Sequence, residues 1–461
     1  MHARALMVRM AGLFLAISLR AASAAAPEGA EALVLIIGDQ HSAYERTAQL
    51  VGRVDRLRAE HPGLPMAMLI NGDVFEHGNV VARRSAGEID FAMFAALVRR
   101  LPTILNLGNH EPEFHDVAEA VKRIQATGVT VVSNIVNRAN GELFVAAATP
   151  LKLGKHEAVV VGVTTDLLAT FRVPVRPAID LAEPVAWARK NFPDLLAQSP
   201  LRIVLSHAGL AADRGLLEFV PDGTLVAGAH DHIRFVHHVG RTAYVHSGSW
   251  NEFLTLAYLC VGSDGPRWEI RQQKVELDEA SDPELAGLIR ATSTKHLTPE
   301  DREVVGFSER NLSPDEAALF AVRALRRAAG VDAAFVGRTT FGAGVSVGPV
   351  TRTAFDAWVR FDGTTHLGEV TGAQLQALLE GANETPDTPF GRRHGDYLVA
   401  EGPAQIVPER VYRIAVAAWV VRNSRRYLGS MQITFSERVD LKLKPIVAAA
   451  LEKKAGAAER K

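Results

Sequence analysis

Short apolar runs punctuated by turn residues recur through the first part of the chain: LVLIIGDQH, MLINGD, TILNLGNH, IVLSH and TLVAGAHDH. A run this short, closed by Gly or a polar turn, predicts a buried strand. Between the runs lie stretches with helical apolar spacing, TAQLVGRVDRLRAEH, FAMFAALVRRL and HDVAEAVKRIQATG. Strands alternating with helices in this way predict a layered α/β domain extending to about Val275. The pattern then changes. Residues 276–310 are charged and poor in apolar runs, and read as a connector stiffened by a helix around Pro283 to Thr292. A second unit, 311–450, opens with SPDEAALFAVRALRRAAG, where Ser313 and Glu316 have capping-box spacing. Strand-like runs follow at AAFVG, VGPVTR and RVYRIAVAAWVV, with a helix at TGAQLQALLEGA and a Lys- and Ala-rich tail that reads as a fraying helix. No internal repeat interrupts this organisation.

Length and composition agree with two domains, since 461 residues at 48% hydrophobic content exceed one ordinary core. The net charge of -1 gives no global field for nucleic acid or an anionic membrane surface, so any anion must be recognised locally. Residues 1–24 carry Arg4 and Arg9, an apolar stretch from Ala11 to Leu19 and an Ala22-Ser23-Ala24 step. That is the layout of a secretory signal peptide, too short to span a bilayer, and it predicts a periplasmic or secreted protein without stable membrane insertion. Cys260 is the one cysteine, so no intrachain disulfide can form. Its place in LTLAYLCVG predicts a buried, inert thiol.

The chemistry lies where the strands end. Strand exits are where open α/β sheets build their sites, and these five deliver Asp39, His41, Asp73, Asn109, His207, His230 and His232. A single Gly-Asp or His after a strand is commonly a turn residue. Five exits supplying Asp, Asn and His alone match the ligand types of a two-metal hydrolytic centre. Asp39 and His41, like His230 and His232, are two apart, so in an extended segment each pair points the same way. Gly72 lets the chain turn and present Asp73 between two cations roughly 3.5–4 Å apart, a separation suited to clamping a phosphoryl group. Asn109 adds a neutral oxygen. His110 has the opposite parity and is placed to touch substrate, by protonating the leaving oxygen or by stabilising phosphoryl charge. With no thiolate among the ligands, Mn²⁺, Zn²⁺, Fe and Co²⁺ all remain open. His77, His115, His237 and His238 stand at no comparable exit and read as surface or structural residues.

In the order GDQH, NGDVF, GNHE, LSHAG and GAHDH, these motifs resemble the calcineurin-like metallophosphoesterases, and within them the two-domain periplasmic 5′-nucleotidase/UDP-sugar hydrolase family. The resemblance implies a four-layer α/β/β/α metallophosphoesterase sandwich at 27–275, joined by the 276–310 linker to an α/β 5′-nucleotidase-type substrate domain at 311–450. By position, one metal is implied at Asp39, His41, Asp73 and His232, and the other at Asp73, Asn109, His207 and His230, with His110 as the catalytic histidine. Glu113 stands where the family has an Asp that orients this histidine, and Ala229 replaces a Gly.

The resemblance implies two aromatics that sandwich a nucleobase, Phe361 and Trp419; core packing is the alternative reading of both. Other recognition positions depart from the family. Gly342 falls near its phosphate-contacting arginine, Gly363 replaces an Asn, and Asn423-Ser424-Arg425-Arg426 replaces an acidic turn. Such changes alter which ligand fits. The expected activity is hydrolysis of a small-molecule phosphate ester, nucleotides by family default, through a metal-activated water assisted by His110. The alternatives are a related dimetal hydrolase of a sugar phosphate or thiosulfate conjugate, and a non-catalytic binding protein on the same fold.

Overall fold

A computed structural model describes residues 25–458; the expected leader at 1–24 lies outside them. Two six-stranded mixed sheets form the first lobe. In the first, Ala30–Ile37, Met66–Asn71, Thr103–Asn106 and Thr130–Val132 run parallel, with Phe253–Gly262 and Gly265–Lys274 added antiparallel beside Ala30–Ile37. In the second, His156–Thr164, Leu201–His207, Leu225–Gly228 and Thr242–Ser247 are parallel, closed by antiparallel edges at Ala148–Leu153 and Arg234–Val239.

The period-two geometry of a strand explains why these runs are apolar on both faces. Along Ala30–Ile37, Leu33, Leu35 and Ile37 enter one core with Val51 and Val54 of helix Tyr44–Glu60, Met93 and Phe94 of Glu88–Val98, and Val121 of Val117–Ala126. Their neighbours Ala32, Val34 and Ile36 enter a second core, against Val160, Ile203, Leu205 and Ala227 of the other sheet. The outer face of that second sheet, through Val161, Val204 and Val226, packs on Phe192 and Leu196 of helix Pro184–Leu196. The order of layers is helix, sheet, sheet, helix.

Two buried asparagines bolt the sheets together just below the strand exits. Asn71 Nδ2 donates to the carbonyls of Ser206 (2.9 Å) and Ala227 (2.8 Å). Asn106 Nδ2 donates to Asn71 Oδ1 (3.0 Å), Val163 O (2.9 Å) and Leu205 O (3.1 Å). Polar groups are tolerated in this core because they are paired.

The helix expected near 283–292 runs Pro283–His296, capped by Asp282, whose side chain accepts from the Leu285 amide at 2.7 Å. It does not stand free as a spacer. Leu285 is buried in the first core and Arg100 Nη2 bonds Asp282 at 2.6 Å, so the segment is docked on the first lobe.

The second lobe is a five-stranded sheet ordered Leu398–Glu401, Ala333–Gly337, Val411–Ala417, Thr364–Thr371, Phe435–Lys442. Its helix Pro314–Ala329 carries the expected capping box of Ser313 and Glu316. The tail is a docked helix from Leu443, with Leu443, Val447 and Leu451 buried in the same core as Ala317 and Ala321. Cys260 is buried as expected, and burial raises its thiol pKa. No helix among the described residues is long and apolar enough to cross a membrane.

Candidate metal centre

Parallel strands open at one edge, so the exits after Ile37, Asn71, Asn106, His207 and Gly228 bring their loops together. The backbone there is not extended. Asp39 (φ 52°), His41 (50°), Asp73 (54°), His230 (81°) and His232 (59°) all lie in the left-handed region. Ser42, Trp250 and Asn251 share it, making eight of the ten such non-glycine residues among those described. Asp39 and His41 therefore do meet, but by left-handed turns rather than by strand parity, whereas His230 and His232 go to different donor groups. His110 likewise sits in a helical turn, at φ -96° and ψ -7°. Conformations that cost about 1–3 kcal/mol each persist only where surrounding contacts over-determine them.

Those contacts are specific. Glu111, absent from the expected site, accepts three amide N–H groups: Asp73 at 3.1 Å, Val74 at 2.9 Å and Gly108 at 2.6 Å. The His230 amide donates to Asp39 at 3.0 Å, and the His110 amide donates to Asp73 Oδ1 at 2.8 Å. Gly72 (φ +72°) has no room for a side chain, since a Cβ would fall 2.6 Å from Gly108 N and 2.7 Å from His207 Nδ1.

The predicted donors converge. Asp39, His41 and His232 form one group, and Asp73, His207 and His230 another, the ligand atoms of each lying within 4.8 Å of one another. A third group joins Asp73 to His41 and His110, which places Asp73 between the two halves. His207 Nε2 is 3.1 Å from Asp73 Oδ2 and 3.9 Å from Asp39 Oδ1. Nδ1 of the same ring donates to Asn71 O at 2.7 Å; burial opposes protonation, but Asp73 and Asp39 outweigh it and raise the ring to about 10, so a cation would take the place of the Nε2 proton. His41 Nε2 and His232 Nε2 face each other at 2.9 Å. Asn109 Nδ2 is turned to Thr170 O (3.5 Å), while its buried Oδ1 has no protein partner.

This donor set fits divalent cations. Burial, then Arg360, pulls His41 down to about 3; burial, then His207, pulls His230 down to about 4; burial and His41 hold His232 well below its usual range. All three imidazoles keep a free lone pair at neutral pH. Burial, against the pull of His207 and with the Asp73 charge, pushes Asp39 up to about 8, the mark of a buried carboxylate short of positive charge. A cation supplies that charge.

His110 stands beside the cluster with Nε2 4.0 Å from Asp73 Oδ2 and Nδ1 2.7 Å from Glu113 Oε1. The longer Glu113 side chain thus reaches the ring across the Pro112 turn. Burial opposes protonation of His110, but Asp73 and Glu113 outweigh it and raise the ring to about 9. Arg172 secures Glu113 from behind, Nη1 donating to the Glu113 carbonyl at 2.5 Å.

Phe361 lies against Arg360, and Trp419 against Tyr427 and Arg422. Phe361 is 54% exposed, which rules out core packing for that ring. Trp419 is half-buried, and its Nε1 donates to Tyr427 OH at 3.2 Å.

Sequence reasoning missed the residues that join the lobes here. Arg360 Nε donates to Glu76 Oε2 at 3.0 Å, and Glu76 Oε2 lies 3.4 Å from His41 Nδ1. Arg426 pairs with Asp231 (2.9 Å), the buried residue between His230 and His232. Trp250 stacks on His41 with centroids 4.5 Å apart. Its ring also explains Gly342, where a Cβ would fall 2.5 Å from Trp250 Cζ2 and 2.2 Å from Ala357 O. No larger side chain fits there. His237 is structural, stacked on Phe390 at 4.1 Å.

The family model described as calcineurin-like phosphoesterase matches residues 32–234, and the one described as 5′-nucleotidase, C-terminal domain, matches 294–395. The chain joins a calcineurin-like phosphoesterase domain to a 5′-nucleotidase C-terminal domain. Both families are metal-dependent phosphoester hydrolases, and the expectation of such an enzyme holds. No curated protein matches the chain by sequence.

Among solved structures, a 5′-nucleotidase precursor from Thermus thermophilus is similar at a TM-score of 0.60 and 17% identity, covering 92% of this chain and 96% of its own. The sulfate thiohydrolase SoxB of Thermus thermophilus, in complex with glycerol, is similar at 0.61 and 15%, covering 93% and 96%. A 5′-nucleotidase from Candida albicans follows at 0.59 and 12%, covering 92% and 98%. At such identities the likeness is one of fold, and it extends over both domains. The stretch matched as calcineurin-like phosphoesterase holds Asp39, His41, Asp73, Asn109, His110, Glu113, His207, His230 and His232, and the stretch matched as 5′-nucleotidase C-terminal domain holds Arg360 and Phe361.

Proposed function

We propose that the protein is an exported phosphatase that hydrolyses phosphate monoesters, nucleotides foremost, with two divalent cations. Residues 27–275 form its catalytic domain, 276–310 the linker and 311–450 the substrate domain. One cation is assigned to Asp39, His41, Asp73 and His232, the other to Asp73, Asn109, His207 and His230. When bound, the cations supply Lewis acidity to the phosphoryl oxygens and lower the pKa of water. The protein's own residues do the rest. Asp73 fixes the spacing of the two halves. His110, held protonated and oriented by Glu113, donates its proton to the leaving oxygen. Phe361 offers its exposed face to a nucleobase, with Trp419 as the second ring.

The observation that carries this reading is the convergence of Asp39, His41 and His232 in one group and Asp73, His207 and His230 in another, linked through a third group of His41, Asp73 and His110, with an exposed aromatic on the second lobe. Export rests on the leader-like pattern of residues 1–24. A second reading, hydrolysis of a non-nucleotide ester, draws on one feature: Trp419 is tethered to Tyr427 instead of lying against Phe361.

The test is phosphate release by the mature protein with Mn²⁺ across nucleoside monophosphates, a UDP-sugar, sugar phosphates and an aryl phosphate, with Asp73→Ala as blank. Release from nucleotides at low substrate concentration is expected. Release from the other esters alone rejects the nucleotide reading, and silence across the panel rejects phosphatase action.

A further inference from the structure

His110 is steered by Glu113, and Glu113 is weakly steered by its own segment. It closes the short turn Glu111–Glu113, where Pro112 at φ -87° and ψ 37° breaks the helical path, and its amide donates to His110 O at 3.2 Å. A glutamate has one more rotatable bond than an aspartate, so covalent geometry alone fixes its contact with a histidine less well. Oε1 is 2.7 Å from His110 Nδ1, while the buried Oε2 accepts no hydrogen bond among the described residues. The rotamer must be chosen from outside the turn.

Arg172 meets Glu113 at both ends. Nη1 donates to the Glu113 carbonyl at 2.5 Å, and Nε lies 3.7 Å from Oε2, too far for a hydrogen bond but near enough for its charge to act. Among the described residues, His110 and Arg172 are the groups that pair with this carboxylate. The pair is not an ordinary surface one, because the Glu113 side chain is 5% exposed. Arg172 is itself carried on a closed loop. Its neighbour Phe171 is buried in the first core, and Arg176 bonds back to Phe171 O through Nε and to Ala169 O through Nη2, both at 2.8 Å. Thr170 O of the same loop accepts Asn109 Nδ2 at 3.5 Å. One loop therefore grips the residue before His110 and the residue three after it. A cavity of about 250 Å³ adjoins the grip, lined by Pro112, Glu113, Phe114, Arg172, Pro174 and Val175. With the guanidinium removed, the carboxylate has room to turn away from His110.

The structure assigns Arg172 as a positioning residue: it holds Glu113 in the rotamer that keeps the His110 ring aimed at the leaving oxygen. The assignment deepens the phosphatase reading above and rests on it. Its consequence is selective. An alkoxide needs the proton of a general acid in order to leave, whereas a nitrophenolate does not, so a misplaced His110 slows the two esters unequally.

The experiment compares the metal-loaded parent with Arg172→Ala, Arg172→Lys, Glu113→Gln and the double variant Arg172→Ala/Glu113→Gln. KM, kcat and metal content are measured with 4-nitrophenyl phosphate and with adenosine monophosphate, or with glucose 6-phosphate if the nucleotide is not cleaved. Arg172→Ala is expected to lower kcat for the alkyl ester roughly tenfold and for the nitrophenyl ester less than about threefold, at unchanged KM and metal content. Lysine, or methylguanidinium added to Arg172→Ala, restores part of the loss, and the double variant is no slower than Glu113→Gln alone. The His110 Nδ1 proton is followed by NMR in the zinc-loaded, ¹⁵N-histidine-labelled protein and identified by its absence from His110→Ala; its signal is expected to broaden or vanish in Arg172→Ala. Equal falls or no fall for the two esters, additive losses, restoration by neither lysine nor methylguanidinium, or an imidazole signal that is missing in the parent or unchanged in Arg172→Ala overturns the assignment. A parent that hydrolyses no ester, yet loses this signal in Arg172→Ala, leaves the positioning role standing and overturns the phosphatase reading.

Discussion

Glu111 touches no predicted ligand side chain in the role of a ligand, yet it ties the loop carrying Asp73 to the loop carrying His110. Its carboxylate is 2% exposed and accepts the amides of Asp73, Val74 and Gly108. Glu111→Ala strands three buried donors, at about 1–3 kcal/mol each. The loss is offset in part, because burial and the nearby Asp73 charge already raise the Glu111 pKa and so make its ionised form costly. The net expectation is about 3–5 kcal/mol of destabilisation, and roughly half of that for Glu111→Gln, which keeps one acceptor oxygen. Urea unfolding of the chelated protein measures the shift in midpoint. Hydrogen exchange of the peptides spanning 71–75 and 107–111 should show faster exchange at the freed amides in Glu111→Ala. A midpoint shift worth less than about 1 kcal/mol, with exchange unchanged, refutes the idea that these three bonds hold the two loops together.

Asp73→Ala should lose both bound metals together, because each half of the cluster leans on that carboxylate; titration showing one metal retained at parental affinity removes its bridging role. His110→Ala should keep the metals and lower kcat by about 10²–10⁴, and an unchanged rate takes the residue out of the mechanism. Asp90, buried and bonded by Tyr44 OH at 2.6 Å, is pushed up to about 7 by burial. Its folded pKa exceeds its unfolded value, so its contribution to stability is full below about pH 4 and is lost as pH rises through about 7, by at most about 4 kcal/mol. Asp90→Asn should therefore gain on the parent in chelated urea titrations at pH 8 compared with pH 4.5; a difference independent of pH contradicts the buried carboxyl.

Much of the phosphoesterase domain was legible because its signals are local. A strand buried on both faces must be apolar throughout, as Ala30–Ile37 is, and its exit must turn, so ligand-bearing turns such as those at Asp39 and Asp73 stand out in the text of the chain. The reasoning about side-chain parity did not survive. Asp39 and His41 meet through left-handed turns, a conformation held by the Asp39 amide donating to Gly72 O, the His41 amide donating to Asp73 O and the His230 amide donating to the Asp39 carboxylate, and carried by no local pattern. The Glu113 contact to His110 likewise needed the shape of the Pro112 turn before it could be assigned.

The sequence by itself determined the strands, their order of donors and the class of chemistry, because each of these depends on neighbours a few residues away. The tertiary structure alone decided what stands opposite the metal ligands. Arg360 meets Glu76 and His41 across 284 and 319 residues of chain, and Arg426 meets Asp231 across 195. Trp250 fills the space that leaves Gly342 without a side chain. Partners so distant leave no periodicity to read. Their positions follow from how two lobes with separate sheets pack, and packing is settled by the shapes of whole surfaces rather than by any short run of residues.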